Sequence, residues 1–352
     1  MMKMRIPRFQ ECLKGLGLDL AVFISYEFDP QMFYLTGYRG IGHLVVPSKK
    51  DPFLMVPKME EVKASRTGLA VIPLLPKPID GLKGELEKRD IQHSRLGVDA
   101  NRITMAASNS LSSISSDLLN VADGMDRLRE VKDSSEIEIL QEGCRLTDKI
   151  IEKALANWSE FKTEAQVAAF LNFEAAKIGC RPSFPTIVAS GWHAGIPHHE
   201  TADHPLMKGF CVIDFGIVYQ GYCTDTSRTV CIGAPTNAMI DAYEAVSRSQ
   251  VAAIEAIRSG VQCNVLDRIA RDSLGVQERL FIHGLGHGIG VEVHESPWVN
   301  ARSTTALLPG MVIAIEPGVY SDAMGVRIED DILVTQNGFE GLTKSNKGLI
   351  IV

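Results

Sequence analysis

Short apolar runs alternate with helical stretches over the first third of the chain. Runs bounded by turn-forming residues predict β-strands, and apolar residues at helical spacing predict an opening helix over Pro7–Leu16. The predicted strands are Ala21–Ser25, His43–Pro47, Phe53–Val56, Ala70–Leu75 and Leu96–Val98. Their alternation with helices predicts an α/β domain over residues 1–125.

After this domain the pattern changes to longer helices followed by paired strands. Asp133 with Glu136 three residues later predicts a capped helix start, and Thr163 with Gln166 predicts a second one. The run FCVIDFGIVYQGYCTDTSRTVCI then predicts a β-hairpin with its turn at Gln220–Gly221. This part of the chain therefore consists of two helices and a strand pair.

The same plan occurs a second time further along the chain. Helical spacing predicts helices over 237–258 and 264–274, and apolar runs predict strands over 311–316 and 326–334. Two helices followed by a strand pair, present twice, predict a duplicated α+β domain over residues 126–352 with a pseudo-twofold axis.

Each predicted strand pair carries two acidic residues among apolar neighbours. Asp214 and Asp225 lie in the first pair, and Glu316 and Glu329 lie in the second. The strand pattern does not require acids there, and a buried carboxylate without a partner is costly. We therefore expect the pseudo-twofold axis to bring both acidic pairs to one shared site that needs compensating cations.

Glycine- and histidine-rich segments precede the strands. His283, His287 and His294 lie in FIHGLGHGIGVEVHESP, and His198 lies in GIPHHE. Glycine lets the backbone come close to a ligand, so these segments are typical of a functional site. Two divalent ions would neutralise four carboxylates grouped with one imidazole, and oxygen-rich ligands without a thiolate favour Mn²⁺, Co²⁺, Fe²⁺ or Zn²⁺. The sequence thus predicts a dinuclear metal hydrolase.

Arg327 lies two residues before Glu329, so strand alternation places both side chains on one face. A cation there would lie against the acidic cluster. Two roles are open for it, as a charge-balancing partner of the acids or as a clamp for a substrate carboxylate.

Composition excludes several other classes of function. The length of 352 residues suits two domains, and a net charge of −7 without a long basic run argues against nucleic-acid or anionic-membrane partners. Seven scattered cysteines without a CxxC motif indicate a reduced compartment, and the N-terminus has no apolar core of a signal peptide. We expect a soluble, cytoplasmic protein.

The motifs PHHE, VIDFG, TDTSRT, HGLGHGIGVEVHESP, IEPG and GVRIEDD resemble, in order and approximate spacing, those of the pita-bread metallopeptidases. This family includes methionine aminopeptidase, aminopeptidase P, Xaa-Pro dipeptidase and the metal-free relative creatinase. The resemblance covers nearly the whole chain. It implies a creatinase-type α/β N-terminal domain followed by an α+β pita-bread catalytic domain.

The resemblance also implies a metal site with five protein ligands. All five positions match, and they would together hold two divalent ions. The expected ions are Mn²⁺ or Co²⁺, with Zn²⁺ or Fe²⁺ as the alternatives. Asp214 and Asp225 would hold the metals, with Asp214 and Glu329 bridging them, and His287 and Glu316 would complete the shell of the second ion.

Further roles follow from the same resemblance. Glu316 would be the proton shuttle for the attacking water, and His198 and His294 would steady the tetrahedral intermediate and the leaving nitrogen. His283 would contact the substrate near the scissile bond, and Arg327 would belong to the substrate-binding residues.

The implied activity is hydrolysis of the Xaa-Pro bond by a hydroxide that bridges the two metals, in a homodimer acting on small peptides. A clamp on the carboxylate of a dipeptide would make the enzyme an Xaa-Pro dipeptidase, which is the principal expectation. A site open beyond proline would make it an Xaa-Pro aminopeptidase, and a catalytically silent binding module of the same fold is the remaining alternative.

Overall fold

The computed structural model describes residues 4–352, which form two compact units that meet in the sequence between Arg129 and Glu130. Residues 1–3, the start of the segment without a predicted signal peptide, lie outside this range. Among the described residues, no helix combines the length and hydrophobicity needed to cross a bilayer.

The first unit is a six-stranded mixed sheet with helices. Its helices, α1 to α6, are Arg5–Gly15, Pro30–Thr36, Glu61–Ser65, Pro78–Lys88, Met105–Leu111 and Ala122–Glu130. Its strands, β1 to β6, are Leu20–Ser25, Gly42–Pro47, Phe53–Val56, Ala70–Pro73, Arg95–Val98 and Asp117–Asn120, in the order β4-β3-β2-β1-β5-β6. The five predicted strands are confirmed. Edge strand β6, sequence DLLN, was missed because two apolar residues are too few to give a pattern.

The second unit contains four long helices and several small sheets. Helices α7 to α10 are Ser134–Ala156, Glu164–Lys177, Asn237–Glu255 and Cys263–Leu274. Strands β7 to β13 are Arg181–Pro182, Ile187–Ser190, Gly209–Asp214, Ile217–Tyr219, Tyr222–Cys223, Ser227–Ile232 and Gly286–Gly288. Strands β14 to β20 are Glu295–Val299, Val312–Ile315, Gly318–Tyr320, Gly325–Arg327, Asp330–Val334, Phe339–Gly341 and Ile350–Ile351.

The local signals in the sequence act as predicted. The side chain of Asp133 accepts from the Glu136 N–H at the start of α7, and the Glu136 side chain accepts from the Asp133 N–H in return. At the start of α8 the Thr163 side chain accepts from the Gln166 N–H, whereas the Gln166 side chain accepts from the Lys162 N–H. Gln220 and Gly221 have φ values of 47° and 93°, the left-handed pair that a two-residue hairpin turn requires.

The predicted duplication is present in the two antiparallel strand pairs β9–β12 and β15–β18. Helices α7 and α8 precede the first pair, and α9 and α10 precede the second. A short inner hairpin interrupts each pair, β10–β11 in the first copy and β16–β17 in the second. Each copy therefore has one position at the end of its first strand and another just before its second strand, and these four positions hold the predicted acids.

A buried carboxylate fixes the loop that leads from β8 toward β9. Glu164, fully buried at the start of α8, accepts hydrogen bonds from Ser190 N at 2.7 Å and Ser190 Oγ at 2.8 Å. It also lies 2.9 Å from His193 Nδ1 and 2.8 Å from His199 Nε2, and the two imidazole rings stack with centroids 4.2 Å apart. This network holds the backbone on either side of His198.

We predict that Glu164→Gln lowers the free energy of unfolding at pH 7 by about 2–3 kcal/mol, because the carboxylate receives charge-assisted hydrogen bonds. Burial would raise the pKa of Glu164, but the hydrogen bonds from His193 and Ser190 outweigh it and lower the pKa below its ordinary 4.5. Because folding lowers this pKa, the ionised Glu164 carboxylate stabilises the fold above pH 4.5. This stabilisation is lost as the pH falls further.

Urea denaturation of both proteins between pH 7 and pH 3.5 measures this difference. The gap between wild type and variant is expected to narrow only below about pH 4.5. Glu160→Gln, at an exposed position, is the matched control and is expected to change stability by less than about 0.5 kcal/mol. A gap that does not change with pH would contradict the assignment.

Candidate functional site

The duplicated strand pairs bring the predicted acids and one histidine together. Oxygen atoms of Asp214, Asp225 and Glu329 lie within 4.8 Å of one another. Ligand atoms of His287, Glu316 and Glu329 form a second such group. All five side chains line one cavity of about 600 Å³. The five residues that the sequence predicts as metal ligands therefore lie together in the structure.

Backbone geometry explains why these residues converge. Asp214 ends β9 and Glu316 directly follows β15, whereas Asp225 and Glu329 lie just before the partner strands β12 and β18. His287 lies in β13, which pairs with β15. Its neighbour Gly286 permits this pairing, because a side chain there would overlap the carbonyl oxygen of Ala314 on β15.

The cluster is electrostatically strained without cations. Burial, followed by repulsion from Glu329 and Asp214, raises the pKa of Asp225 well above its ordinary value. Burial and the charges of Glu316 and Asp214 raise the pKa of Glu329 in the same direction. Burial also raises the pKa of Glu316 to about 8, although Arg327 opposes the rise. These carboxyl groups are too close to be ionised together unless positive charge is added.

The donor atoms fit divalent metal ions. Asp214 Oδ1 and Asp225 Oδ1 are buried and lack a hydrogen-bond partner, so their lone pairs are available. His287 Nδ1 lies 3.1 Å from the carbonyl oxygen of Gly288, which fixes the proton on Nδ1 and leaves the Nε2 lone pair free. Nε2 lies 3.8 Å from Asp225 Oδ2 and 3.7 Å from Glu316 Oε1. Burial lowers the pKa of His287 to about 4, which keeps the ring neutral, as a metal ligand must be.

Arg327 is buried beside the cluster, and its donors are engaged by the protein. Nη2 lies 2.7 Å from Asp214 Oδ2, and Nε donates to Ser227 Oγ at 2.7 Å. Nη1 donates to Tyr320 Oη at 3.0 Å and to the carbonyl oxygen of Pro197 at 3.3 Å. Of the two roles left open by the sequence, this geometry supports charge balance and disfavours a clamp on the substrate.

His283 lines the cavity but has no ring nitrogen to spare. Its Nδ1 lies 2.8 Å from the carbonyl oxygen of Gly284, and its Nε2 lies 3.0 Å from Tyr320 Oη. Arg327 can only donate to Tyr320, so the Tyr320 hydroxyl donates onward to Nε2 and the ring is the neutral Nδ1–H tautomer. Burial accordingly lowers the pKa of His283 to about 4. The expected contact of His283 with the substrate near the scissile bond stays a prediction, and these hydrogen bonds leave the ring face and edge to make it.

The other two predicted histidines are exposed in the cavity wall. His294 groups with Asp225 and His287, and its ring centroid lies 4.3 Å from that of His287. His198 lines the cavity next to His199, which Glu164 holds in place. Both side chains are placed to reach a molecule bound over the acidic cluster.

Three supporting residues were not predicted from the sequence. Ser227 Oγ donates to Glu329 Oε2 at 2.8 Å while accepting from Arg327, and Tyr320 joins Arg327 to His283. Asp331 Oδ2 accepts from the Asp225 N–H at 3.0 Å. Ser227 and Asp331 lie within the motifs TDTSRT and GVRIEDD, so the signal was their nearness to predicted ligands.

Comparison with known proteins agrees with this geometry. Residues 138–336 match the model of metallopeptidase family M24, and residues 5–131 match that of the creatinase/prolidase N-terminal domain. The chain is 33% identical over 357 residues to the Xaa-Pro dipeptidase of Pyrococcus furiosus, covering 99% of this chain and 100% of that protein. It is 34% identical over 358 residues to an uncharacterized peptidase of Bacillus subtilis, covering 99% and 100%.

Solved structures show the same similarity. An Xaa-Pro dipeptidase from Bacillus anthracis matches with a TM-score of 0.93 at 30% identity, with full coverage of both chains. An X-Pro aminopeptidase from Thermotoga maritima matches with a TM-score of 0.88 at 28% identity, covering 98% of this chain and 100% of that one. The expected creatinase-type domain followed by a pita-bread domain is confirmed. The chain therefore belongs to metallopeptidase family M24 and carries the creatinase/prolidase N-terminal domain.

Proposed function

We propose that this chain is a dinuclear metallopeptidase that hydrolyses the bond before proline, with Xaa-Pro dipeptides among its substrates. The observation that carries the proposal is the intact set of five ligands in one cavity. The names of several relatives, Xaa-Pro dipeptidase among them, support the choice of substrate class. An intact ligand set also argues against a catalytically silent binding module.

Glu329 and Asp225 each belong to two of the groups of side chains that would hold the ions. Glu329 lies in one group with Asp214 and in another with Glu316. Asp225 likewise lies in one group with Asp214 and in another with His287. Asp214 lies in one such group only, and its carboxylate forms an ion pair with Arg327. Asp225 and Glu329 would therefore help to hold both ions, and the division of roles expected from the resemblance, with Asp214 and Glu329 shared, stays a prediction.

Bound ions would supply an activated water and polarise the scissile carbonyl. The protein side chains would do the rest. The Glu316 carboxyl group takes the proton of the water and passes it to the leaving nitrogen. His198 and His294 donate hydrogen bonds to the developing oxyanion and steady the leaving group from the cavity wall. Arg327 holds Asp214 in position through its ion pair.

The remaining details are proposals that come from the resemblance. Mn²⁺ or Co²⁺ is the proposed metal, since carboxylate-rich sites bind these ions well. Assembly as a homodimer and a cytoplasmic location also stay predictions.

The direct test is hydrolysis of Ala-Pro by the purified, metal-stripped protein after addition of Mn²⁺ or Co²⁺, with Ala-Ala as the control dipeptide. We expect Ala-Pro to be cleaved at least tenfold more efficiently than Ala-Ala, and EDTA to abolish both reactions. Equal cleavage of the two dipeptides would refute the proline preference, and no cleavage with either metal would refute the proposed function.

We predict that Asp225→Asn loses activity on Ala-Pro most severely at limiting metal. The substitution removes one carboxylate charge from the group of side chains that would hold the ions, so metal affinity should fall about tenfold or more. The measurement is the dependence of the hydrolysis rate on Mn²⁺ concentration. The exposed Asp241→Asn is the control and is expected to follow the wild-type curve. An unchanged curve for Asp225→Asn would remove this residue from the ligand set.

We predict that Arg327→Met lowers the stability of the metal-free protein by about 3–5 kcal/mol, because it leaves the Asp214 carboxylate buried without its partner. Urea denaturation measures the loss. The double variant Arg327→Met with Asp214→Asn should recover part of it, since the uncompensated charge is removed. A single variant as stable as the wild type would contradict the charge-balancing role.

A further inference from the structure

Trp298 lies beside the acidic cluster, and the proposed function gives it no role. It lies on β14 directly opposite His287 of β13, and cross-strand partners project on the same face of a sheet. Its side chain lines the cavity with 51% of its surface exposed, and its ring centroid lies 6.4 Å from that of His294. A half-exposed indole in the wall of this cavity offers an apolar surface on which a ligand can pack.

The residues that line the same cavity include no exposed lysine or arginine for a substrate carboxylate. Among its lining residues in the described part of the chain, Arg327 is the only lysine or arginine. Its guanidinium is buried, and its Nε, Nη1 and Nη2 atoms all have protein partners. The exposed Glu200 in the cavity wall adds a negative charge that disfavours a second carboxylate nearby.

We propose that the site recognises the residue after the scissile bond by packing its pyrrolidine ring on Trp298, and that it does not require a free carboxylate on that residue. The substrate class then includes prolyl amides and peptides that continue beyond proline, alongside dipeptides. This inference rests on the proposed function.

The chemistry of proline favours such recognition. The tertiary amide has no N–H, so ladder hydrogen bonding cannot select it, whereas its rigid apolar ring packs well on an aromatic surface. The cavity of about 600 Å³ lies within the usual range of about 300–1,000 Å³ for small ligands and leaves room for a longer peptide.

The test compares kcat/KM of the Mn²⁺-loaded protein for Ala-Pro, Ala-Pro-NH₂ and Ala-Pro-Ala. We expect the amide and the tripeptide to be cleaved at least one third as efficiently as Ala-Pro. Values below one third for both would overturn the inference and show that the site requires a free carboxylate, while leaving the proposed function intact. One value below one third would also overturn it. No cleavage of any of the three would overturn the proposed function and this inference together.

Substitutions at Trp298 test its part in recognition. Trp298→Arg places a free guanidinium in the cavity and should raise the preference for Ala-Pro over Ala-Pro-NH₂ about tenfold, as expected for a new charge-assisted hydrogen bond. Trp298→Phe keeps an aromatic surface and should leave the preference at its wild-type value. Trp298→Ala should raise KM for all three substrates about tenfold with little change in kcat.

Because Trp298 is half exposed, all three variants should denature at nearly the wild-type urea concentration, and that measurement separates recognition from folding. Trp298→Ala with an unchanged KM would overturn the role of the indole.

Discussion

Mutual repulsion among four carboxylates is the constraint on which this protein depends. Two strand pairs, each flanked by acids, hold Asp214, Asp225, Glu316 and Glu329 in one cavity where burial limits screening by water. Arg327 offsets a single charge through Asp214. The remaining negative charge contributes to the raised pKa values of Asp225 and Glu329. Several carboxylate oxygens close together are also the ligands that divalent ions prefer.

The surrounding structure orients these groups. Ser227 contacts both Arg327 and Glu329, Asp331 supports the backbone of Asp225, and the Gly288 carbonyl fixes the His287 tautomer. Such supporting contacts position the ligands before any metal binds. They also give each nitrogen of Arg327 a protein acceptor, and this holds the guanidinium against Asp214.

The sequence was sufficient to predict the duplicated fold and the central cluster, because both depend on short-range patterns. Capping residues, the Gln220–Gly221 turn and acids in apolar strands all act over a few residues. It could not decide the role of Arg327, since ion pairing with Asp214 and bonding to Tyr320 join residues far apart in the chain. The grouping of Asp225 with His287 and the position of Trp298 opposite His287 likewise depend on which strands pair.

The most direct test of whether divalent ions relieve the repulsion among the carboxylates is equilibrium dialysis of the metal-stripped protein against Mn²⁺, combined with urea denaturation of the same samples. We expect binding to saturate at two ions per chain and the urea midpoint to rise as the sites fill, because the ions bind the folded state and relieve its repulsion. A chain that binds no Mn²⁺, and that denatures at the same urea concentration with and without the metal, would contradict this expectation.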